Sequence, residues 1–457
     1  MATPKTTQKD LAGGYQFNVP IKKEVLTGRD VYPFGSIRLQ LEDKYSPIIH
    51  EDLTLGSQVS YVGNRSVPFL RIFRYKEAFA LKFVNYCLSK FEATTNDYVF
   101  DPFSGLGTTV FTSTLNGIPS VGVDKLPIAY FASKTLPLFP LLKKNELSNI
   151  WSSLIPLIPS KRPADIADDV AIMNNAFEEQ TLLTLRKIKA AIDELPTPYH
   201  DMMLLLFFSI LEDCSLTAKD GQFLRMKRDK ATPDPMKAMG SKVTQVEEDI
   251  HRNKLLYPHH SIATDTMPDV YLGDTRDLSD IRFKKSPTII ITSPPYANRY
   301  DYTRSYSLEL CFHFVKNFEE LKALRFGILR SHIESKIDKT EVSPHPVITE
   351  ILEALKEKNL NNPRIPIMIT TYFIDMQKVI REWYRVLAPK AKVAMVVDNV
   401  RFEGELVPVD LILSDMAEAV GFKVEEVIVT RYKGNSSQQM KKYGRVPVRE
   451  SVVIWEK

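Results

Sequence analysis

The sequence predicts an α/β protein whose sheet is mostly parallel, closes in a C-terminal antiparallel pair and carries helical insertions. Three observations lead there. Short apolar runs that end in an acidic residue alternate with segments whose apolar residues recur at helical spacing. The first two such runs, residues 98–101 and 120–124, flank a helical segment within about thirty residues, the length of a βαβ crossover. The last two, residues 424–430 and 451–455, follow one another with only a basic, polar connector between them.

Taken in order, residues 1–64 read as an N-terminal arm, because Gly13-Gly14, Pro20 and Pro33 break up every apolar run. Phe79, Leu81, Phe83, Val84, Cys87, Leu88 and Phe91 then recur at helical intervals and feed the first strand. A helix from Thr108 stops at Gly117, the residue type expected just past a helix end. Another helix follows the second strand, from Pro127. Residues 136–262 leave this rhythm and read as an inserted helical subdomain. Phe177, Leu182, Leu185, Ile188, Ile192 and Leu195 mark one amphipathic helix there, and residues 202–211 a buried one. A basic segment with Lys219, Arg225, Lys227, Arg228 and Lys230 is expected as a mobile loop. The sheet resumes with strands at 269–274 and 288–292. Residues 305–365 form a second charged, helical insertion. A long helix around Tyr372 and Trp383 ends at Pro389, a fifth strand covers 393–397, and a last helix ends at Gly421. The sheet domain is thus expected from 65–135 and 263–457.

A chain of 457 residues accommodates one large α/β domain with insertions or about two to three smaller ones. Its apolar fraction of 44% and charged fraction of 25% are those of a soluble protein. A net charge of +4 permits a nucleic-acid partner without arguing for one. Cys87, Cys214 and Cys311 form no CxxC pair, which disfavours a disulfide framework or a cysteine-rich zinc site. The His259-His260 pair lacks a spaced third ligand, so no metal is expected. No apolar run follows Met1, and residues 202–211 are too short to cross a bilayer, so no membrane partner is expected. The expected compartment is the reducing cytoplasm.

Two turns carry chemistry. Asp101-Pro102-Phe103-Ser104-Gly105-Leu106-Gly107-Thr108 follows the first strand. Its glycines let backbone amides approach a ligand that a Cβ would hold off. No Gly-Lys-Ser/Thr follows, against a nucleotide P-loop, and Val110 stands where a dinucleotide fingerprint has its third glycine. Asp124 lies at about the twenty-residue distance at which an acid reaches ribose hydroxyls. Asp101 suits a cationic amino group, and Asp274 an exocyclic amine. The plain alternative is a tight β–α connection flanked by solvated acids.

The second turn, Ser293-Pro294-Pro295-Tyr296, leaves a buried strand stiffly, because two prolines fix φ and supply no N–H. The Ser293 hydroxyl and the Pro294 carbonyl can both accept from one exocyclic amino group, while Tyr296 offers a flat face for stacking. An aromatic amine is a poor nucleophile because its lone pair is delocalised into the ring. Two acceptors pull its protons out of plane and restore that lone pair. The plain alternative is a rigid strand terminator with a packed tyrosine.

The pair of turns resembles the S-adenosylmethionine-binding and catalytic motifs of amino-group DNA methyltransferases, over residues 65–135 and 265–457. The resemblance implies a Rossmann-like methyltransferase sheet, S-adenosyl-L-methionine as cofactor and duplex DNA as substrate, with the target base flipped out of the helix. It implies that Asp101, Pro102, Phe103, Gly105, Gly107 and Thr108 line the methionine end, that Asp124 holds the ribose and that Asp274 lies near the adenine. Ser293, Pro294, Pro295 and Tyr296 would hold the base. A serine before the Pro-Pro pair is typical of cytosine-N4 enzymes. Many of those place the catalytic motif first, and this chain has the reverse order. Cytosine-C5 chemistry is disfavoured, since none of the three cysteines follows a proline.

Between the two motifs, residues 136–262 are the natural place for target recognition, with 305–365 as a second candidate. Arg225, Lys227, Arg228, Lys230, Arg299 and Arg304 are candidate phosphate contacts, as are Arg431, Lys433, Lys441 and Lys442 in the last connector. Tyr300 and Tyr302 either fill the gap left by an extruded base or pack against the insertion. The setting implied is restriction–modification or phage defence, with a cognate endonuclease or defence-system partner. Three rivals stand beside cytosine-N4 methylation: the same chemistry on adenine-N6, an RNA amino-group methyltransferase, and a catalytically silent DNA-binding protein.

Overall fold

Ile289, Ile290 and Ile291 are buried at the centre of an eight-stranded sheet. The computed structural model describes residues 32–457 apart from 221–222, 257–265, 339, 434–441, 443–445 and 447. The strands are β1 (Ile49–Glu51), β2 (Val99–Asp101), β3 (Ser120–Asp124), β4 (Asp269–Leu272), β5 (Ile289–Thr292), β6 (Lys392–Asp398), β7 (Lys423–Lys433) and β8 (Val448–Glu456). Their spatial order is β1-β7-β8-β6-β5-β2-β3-β4. β2 runs parallel to β3 and β5, β3 to β4, β5 to β6, and β1 to β7. Only β8 runs against its neighbours. The expected closing antiparallel pair is therefore present as β7 and β8, with β8 inserted between β7 and β6.

The period of two along each strand sorts the apolar side chains to opposite faces. Phe100, Val121, Ile290, Val393, Met395 and Trp455 face one way. They pack under helices α1 (Ile37–Tyr45), α5 (Ile365–Val386) and α6 (Val409–Val420), numbered in chain order with α2 to α4 below. Val99, Ile289, Ile291, Ala394 and Val396 face the other way and meet Phe83, Val84 and Cys87 of α2 (Leu81–Lys90). On this side the glycine turn opens α3 (Thr108–Leu115), and α4 (Pro127–Thr135) follows β3.

Residues 136–262 contain helices Glu179–Ile192, Tyr199–Cys214 and Pro235–Leu256. Tyr199–Cys214 is apolar nearly all round because it is enclosed by its neighbours. Its Phe207 and Phe208 join Phe131 of α4 and Phe312 in one continuous core, so both insertions share a hydrophobic layer with the sheet domain.

Two expectations differ from what is seen. The stretch expected as an arm contributes a helix and an edge strand, β1, which pairs with β7. β1 is three residues long with a largely exposed face, too short and too polar to show a period. Helix α1 is fixed by Arg449 of β8, buried between Glu42 of α1 and Asp410 of α6 at 2.6 Å from each. The basic segment expected as a mobile loop is a hairpin, Thr217–Asp220 paired with Phe223–Met226. Among the described residues, no helix is long and apolar enough to cross a membrane.

Candidate active site

The chain builds β2, β3 and β4 outward on one side, then returns to lay β5 and β6 on the other, so the strand order reverses between β2 and β5. Ligands of open α/β sheets bind at such a switch point, beyond the carboxyl ends of the strands. Phe100 pairs in register with Ile290, so the last residues of β2 and β5, Asp101 and Thr292, end close together. The Thr292 hydroxyl donates to Asp101 Oδ1 at 2.7 Å, and the Phe103 amide reaches the same oxygen at 3.2 Å. Burial raises the Asp101 carboxyl to about 7, against the pull of these hydrogen bonds.

The glycine turn folds back onto β3. The Gly105 amide donates to Asp124 Oδ2 at 2.8 Å and the Leu126 amide to Oδ1 at 2.9 Å. Burial raises the Asp124 carboxyl to about 6 despite them. Gly107 has φ +88°, and a Cβ there would lie 2.6 Å from Ser133 Cα of α4. Gly107 thus permits the close approach of the turn to α4, and it is not among the residues lining the cleft.

That cleft encloses about 830 Å³ including its mouth. Asp101, Pro102, Phe103, Gly105 and Thr108 of the first turn, Asp124 at the end of β3, Asp274 just past β4, and Ser293 and Pro295 of the second turn all line it. The expected cofactor-side residues other than Gly107 therefore converge with the start of the second turn. The sequence reading missed Tyr75, Glu77, Thr275 and Arg276, which also line it. Tyr75 stacks on Tyr306 with centroids 4.8 Å apart, and the Tyr306 hydroxyl donates to Glu77 at 2.6 Å. Asp274 is clasped by Arg276, whose Nε and Nη2 lie 2.9 and 2.7 Å from its two oxygens. Burial pushes the Asp274 carboxyl up, but the guanidinium overrides it and holds the group below the usual carboxylate range. Ser104 Oγ and Thr275 Oγ1 are buried in the wall without a hydrogen-bond partner among the described residues.

At the second turn, the Tyr296 hydroxyl donates to Glu450 Oε1 at 3.0 Å, and Ser293 Oγ lies 3.3 Å from the Val396 carbonyl oxygen. Lys433 Nζ is 2.6 Å from Glu450 and 3.1 Å from Asp398, and Arg431 pairs with the other Glu450 oxygen. Arg431 and Lys433 are therefore tied to a buried carboxylate, contrary to the expectation of phosphate contacts. Arg304 is paired with Asp301 and Glu334. Arg299 sits at φ +72° with its guanidinium 5.8 Å from the Phe402 ring and its Nε buried without a partner among the described residues. Tyr300 packs edge-on to Tyr302, and Tyr302 lines the cleft.

The basic hairpin divides in two. Arg225, Lys227 and Arg228 are exposed. Lys219 is buried 2.5 Å from Glu309 and 4.1 Å from the Tyr306 ring centroid, and Lys230, contrary to the expectation of a phosphate contact, binds the Glu212 and Thr217 carbonyls. The strand Phe223–Met226 packs against the short helix Tyr302–Ser305, beside the cleft. Lys442 reaches Glu403 at 3.2 Å, while Lys441 and the His259-His260 pair lie outside the described residues.

Along nearly its whole length the chain is similar to the type II methyltransferase M.BsoBI of Geobacillus stearothermophilus, with 33% identity covering 92% of each chain. It belongs to the type II methyltransferases. M.AvaI of Nostoc sp. is 32% identical over 90% of each chain, and M.MvaI of Kocuria varians 21% identical over 70% of this chain and 73% of its own. No protein-family model matches. Two solved structures, TrmN from Thermus thermophilus and the rRNA methyltransferase aviRa from Streptomyces viridochromogenes, cover 86% and 84% of the chain, and 53% and 87% of their own. Their identities of 9% and 10% and TM-scores of 0.29 and 0.30 are too low to bear on fold or function. The family agrees with the resemblance carried by the two turns. This methyltransferase opens both of them on one edge of one sheet.

Proposed function

We propose that the protein is a site-specific, S-adenosylmethionine-dependent DNA methyltransferase acting on the exocyclic N4 of cytosine. The observation that carries this reading is the junction of the two turns through Thr292 and Asp101, in a type II methyltransferase whose second turn begins with serine. The cleft fits the cofactor's chemistry. Asp101 offers a carboxylate to a cationic amino group, Asp124 retains lone pairs for ribose hydroxyls, and Ser104 and Thr275 bring hydroxyls that have no partner among the described residues. Asp274 is less suited to an exocyclic amine than the sequence suggested, since Arg276 already occupies both its oxygens.

When bound, S-adenosylmethionine supplies a methyl group activated by a sulfonium centre. The chain's own part is to present the amine. The Ser293 hydroxyl and the Pro294 carbonyl accept its two protons, drawing the nitrogen lone pair out of conjugation, while Tyr296 supports the base plane. Neither acceptor is basic enough to keep a proton, so the surplus proton passes to water. Positioning supplies most of the rate, because one reactant is held against the other. Extrusion of the base from duplex DNA is required, since the N4 group is otherwise paired. The exposed Arg225, on a hairpin packed beside the cleft, and Lys227 and Arg228 just past that hairpin suit the DNA backbone. A restriction–modification or phage-defence setting, with a cognate endonuclease, and a cytoplasmic location fit this activity.

Digesting methylated DNA to nucleosides tests the reading. N4-methylcytosine is expected from the wild type and none from a Ser293→Ala, Tyr296→Ala variant. Recovery of N6-methyladenine would move the assignment to the second reading, which the order of the two motifs favours. Absence of any methyl in DNA would refute both.

A further inference from the structure

Glu450 lies on the reversed strand β8, opposite Asp398 of β6 and Arg431 of β7, and is only 1% exposed. A buried carboxylate is costly unless paired and hydrogen-bonded, and an apolar residue would pack there at no such cost. Arg431 and Lys433 neutralise it. One oxygen accepts the Tyr296 hydroxyl at 3.0 Å, and the Lys433 ammonium lies 5.4 Å from the centroid of the Tyr296 ring.

We infer that Glu450 is a positioning residue for methyl transfer, fixing the ring of Tyr296 through its hydroxyl with Lys433 steadying the ring beside it. A tyrosine in a turn pivots about two side-chain torsions. Tethering its far end to a sheet carboxylate removes that freedom, so the ring plane meets the base without reorganising. The last strand of the sheet thereby serves the turn after β5, about 150 residues earlier in the chain (the hydrogen bond spans 154). This rests on the reading of Ser293–Tyr296 as the base-holding turn.

The test compares Tyr296→Phe, Glu450→Gln and the double variant with wild type, measuring kcat, both KM values and the fluorescence of 2-aminopurine placed at the target base. A hydrogen bond to a charged group is worth enough that each single variant is expected to lose roughly tenfold in kcat. The KM for S-adenosylmethionine should stay unchanged, the fluorescence of the extruded base should change, and the double variant should be no slower than either single one. Full kcat with unaltered fluorescence in Tyr296→Phe would overturn the inference, as would losses that multiply in the double variant. If Glu450→Gln does not fold, Tyr296→Phe decides alone. The wild type separates the two failures: no methyl transfer to DNA refutes the substrate reading and this role with it, whereas transfer unimpaired in the variants refutes only the role of Glu450.

Discussion

Thr292 and Asp101 end neighbouring parallel strands, and the threonine hydroxyl donates to the aspartate at 2.7 Å. The bond ties the last residue of β5 to the last residue of β2, so each turn inherits its direction from the other strand. Replacing Thr292 with valine keeps the shape and removes the donor. The buried carboxylate then loses a partner, and stability is expected to fall by about 1–3 kcal/mol in urea denaturation. Affinity for S-adenosylmethionine, measured by calorimetry, should fall with it because Asp101 becomes harder to ionise. Unchanged stability and affinity would show that the two turns hold their places independently.

The acidity of the cleft makes a second prediction. Asp101 and Asp124 have carboxyl pKa values of about 7 and about 6, raised by burial. The folded protein keeps these protons at pH values where the unfolded chain has released them. Stability is therefore lost as pH rises from about 4, the unfolded value, through the folded values. Binding a cationic amino group at Asp101 has the opposite sign, since it favours the ionised carboxylate. Cofactor affinity should tighten as pH rises through about 7. Denaturation and titration calorimetry across that range check both slopes, and Asp101→Asn should flatten the second.

These residues show why part of the site was legible. Asp101, Gly105, Gly107 and the Ser293–Tyr296 turn are marked by backbone constraints that act locally, a left-handed φ at each glycine and a fixed φ at each proline, so neighbouring letters suffice. Tyr75, Glu77 and Arg276 were invisible because their places depend on distant partners. Tyr75 rests on Tyr306, and Arg276 bridges Asp274 to Asp375. The same cause misassigned Lys219, Arg431 and Lys433. Each stands in a basic run that reads as solvated, and each is claimed by a buried glutamate far along the chain or on another strand, Glu309 or Glu450. Strands were readable as apolar runs wherever both faces of the sheet are covered, and β1 was missed because its edge position leaves it polar.

Gly105 and Gly107 look alike in the sequence but differ in what surrounds them. At Gly107 an added Cβ meets the backbone of Ser133 at 2.6 Å, and at Gly105 it meets the Tyr75 ring at 3.2 Å. A ring edge gives way and a helix backbone does not. Gly107→Ala should lose about 2 kcal/mol or more, from the left-handed conformation together with displacement of α4. Gly105→Ala should lose less stability while weakening cofactor binding by shifting Tyr75. Denaturation midpoints and cofactor affinities measured side by side check the inversion.

The basic segment separates exposed charges, the ones proposed to meet DNA, from charges that serve the fold. Arg225, Lys227 and Arg228 are exposed beside the cleft, so replacing all three with alanine should weaken duplex binding at a smaller cost in stability than removing a buried charge. Every phosphate left without its cation reduces the steepness of log affinity against log salt by about 0.9. A flatter salt dependence is therefore expected in fluorescence anisotropy, along with a higher KM for DNA. Lys219 carries the same formal charge, yet its ammonium is enclosed by Glu309 and Tyr306. Removing it strands a buried carboxylate, and Lys219→Ala should destabilise the fold by about 3–5 kcal/mol while leaving the salt slope of the folded fraction unchanged. If instead Lys219→Ala flattens the slope, or the triple variant binds DNA as the wild type does, the hairpin does not meet the backbone through its exposed face.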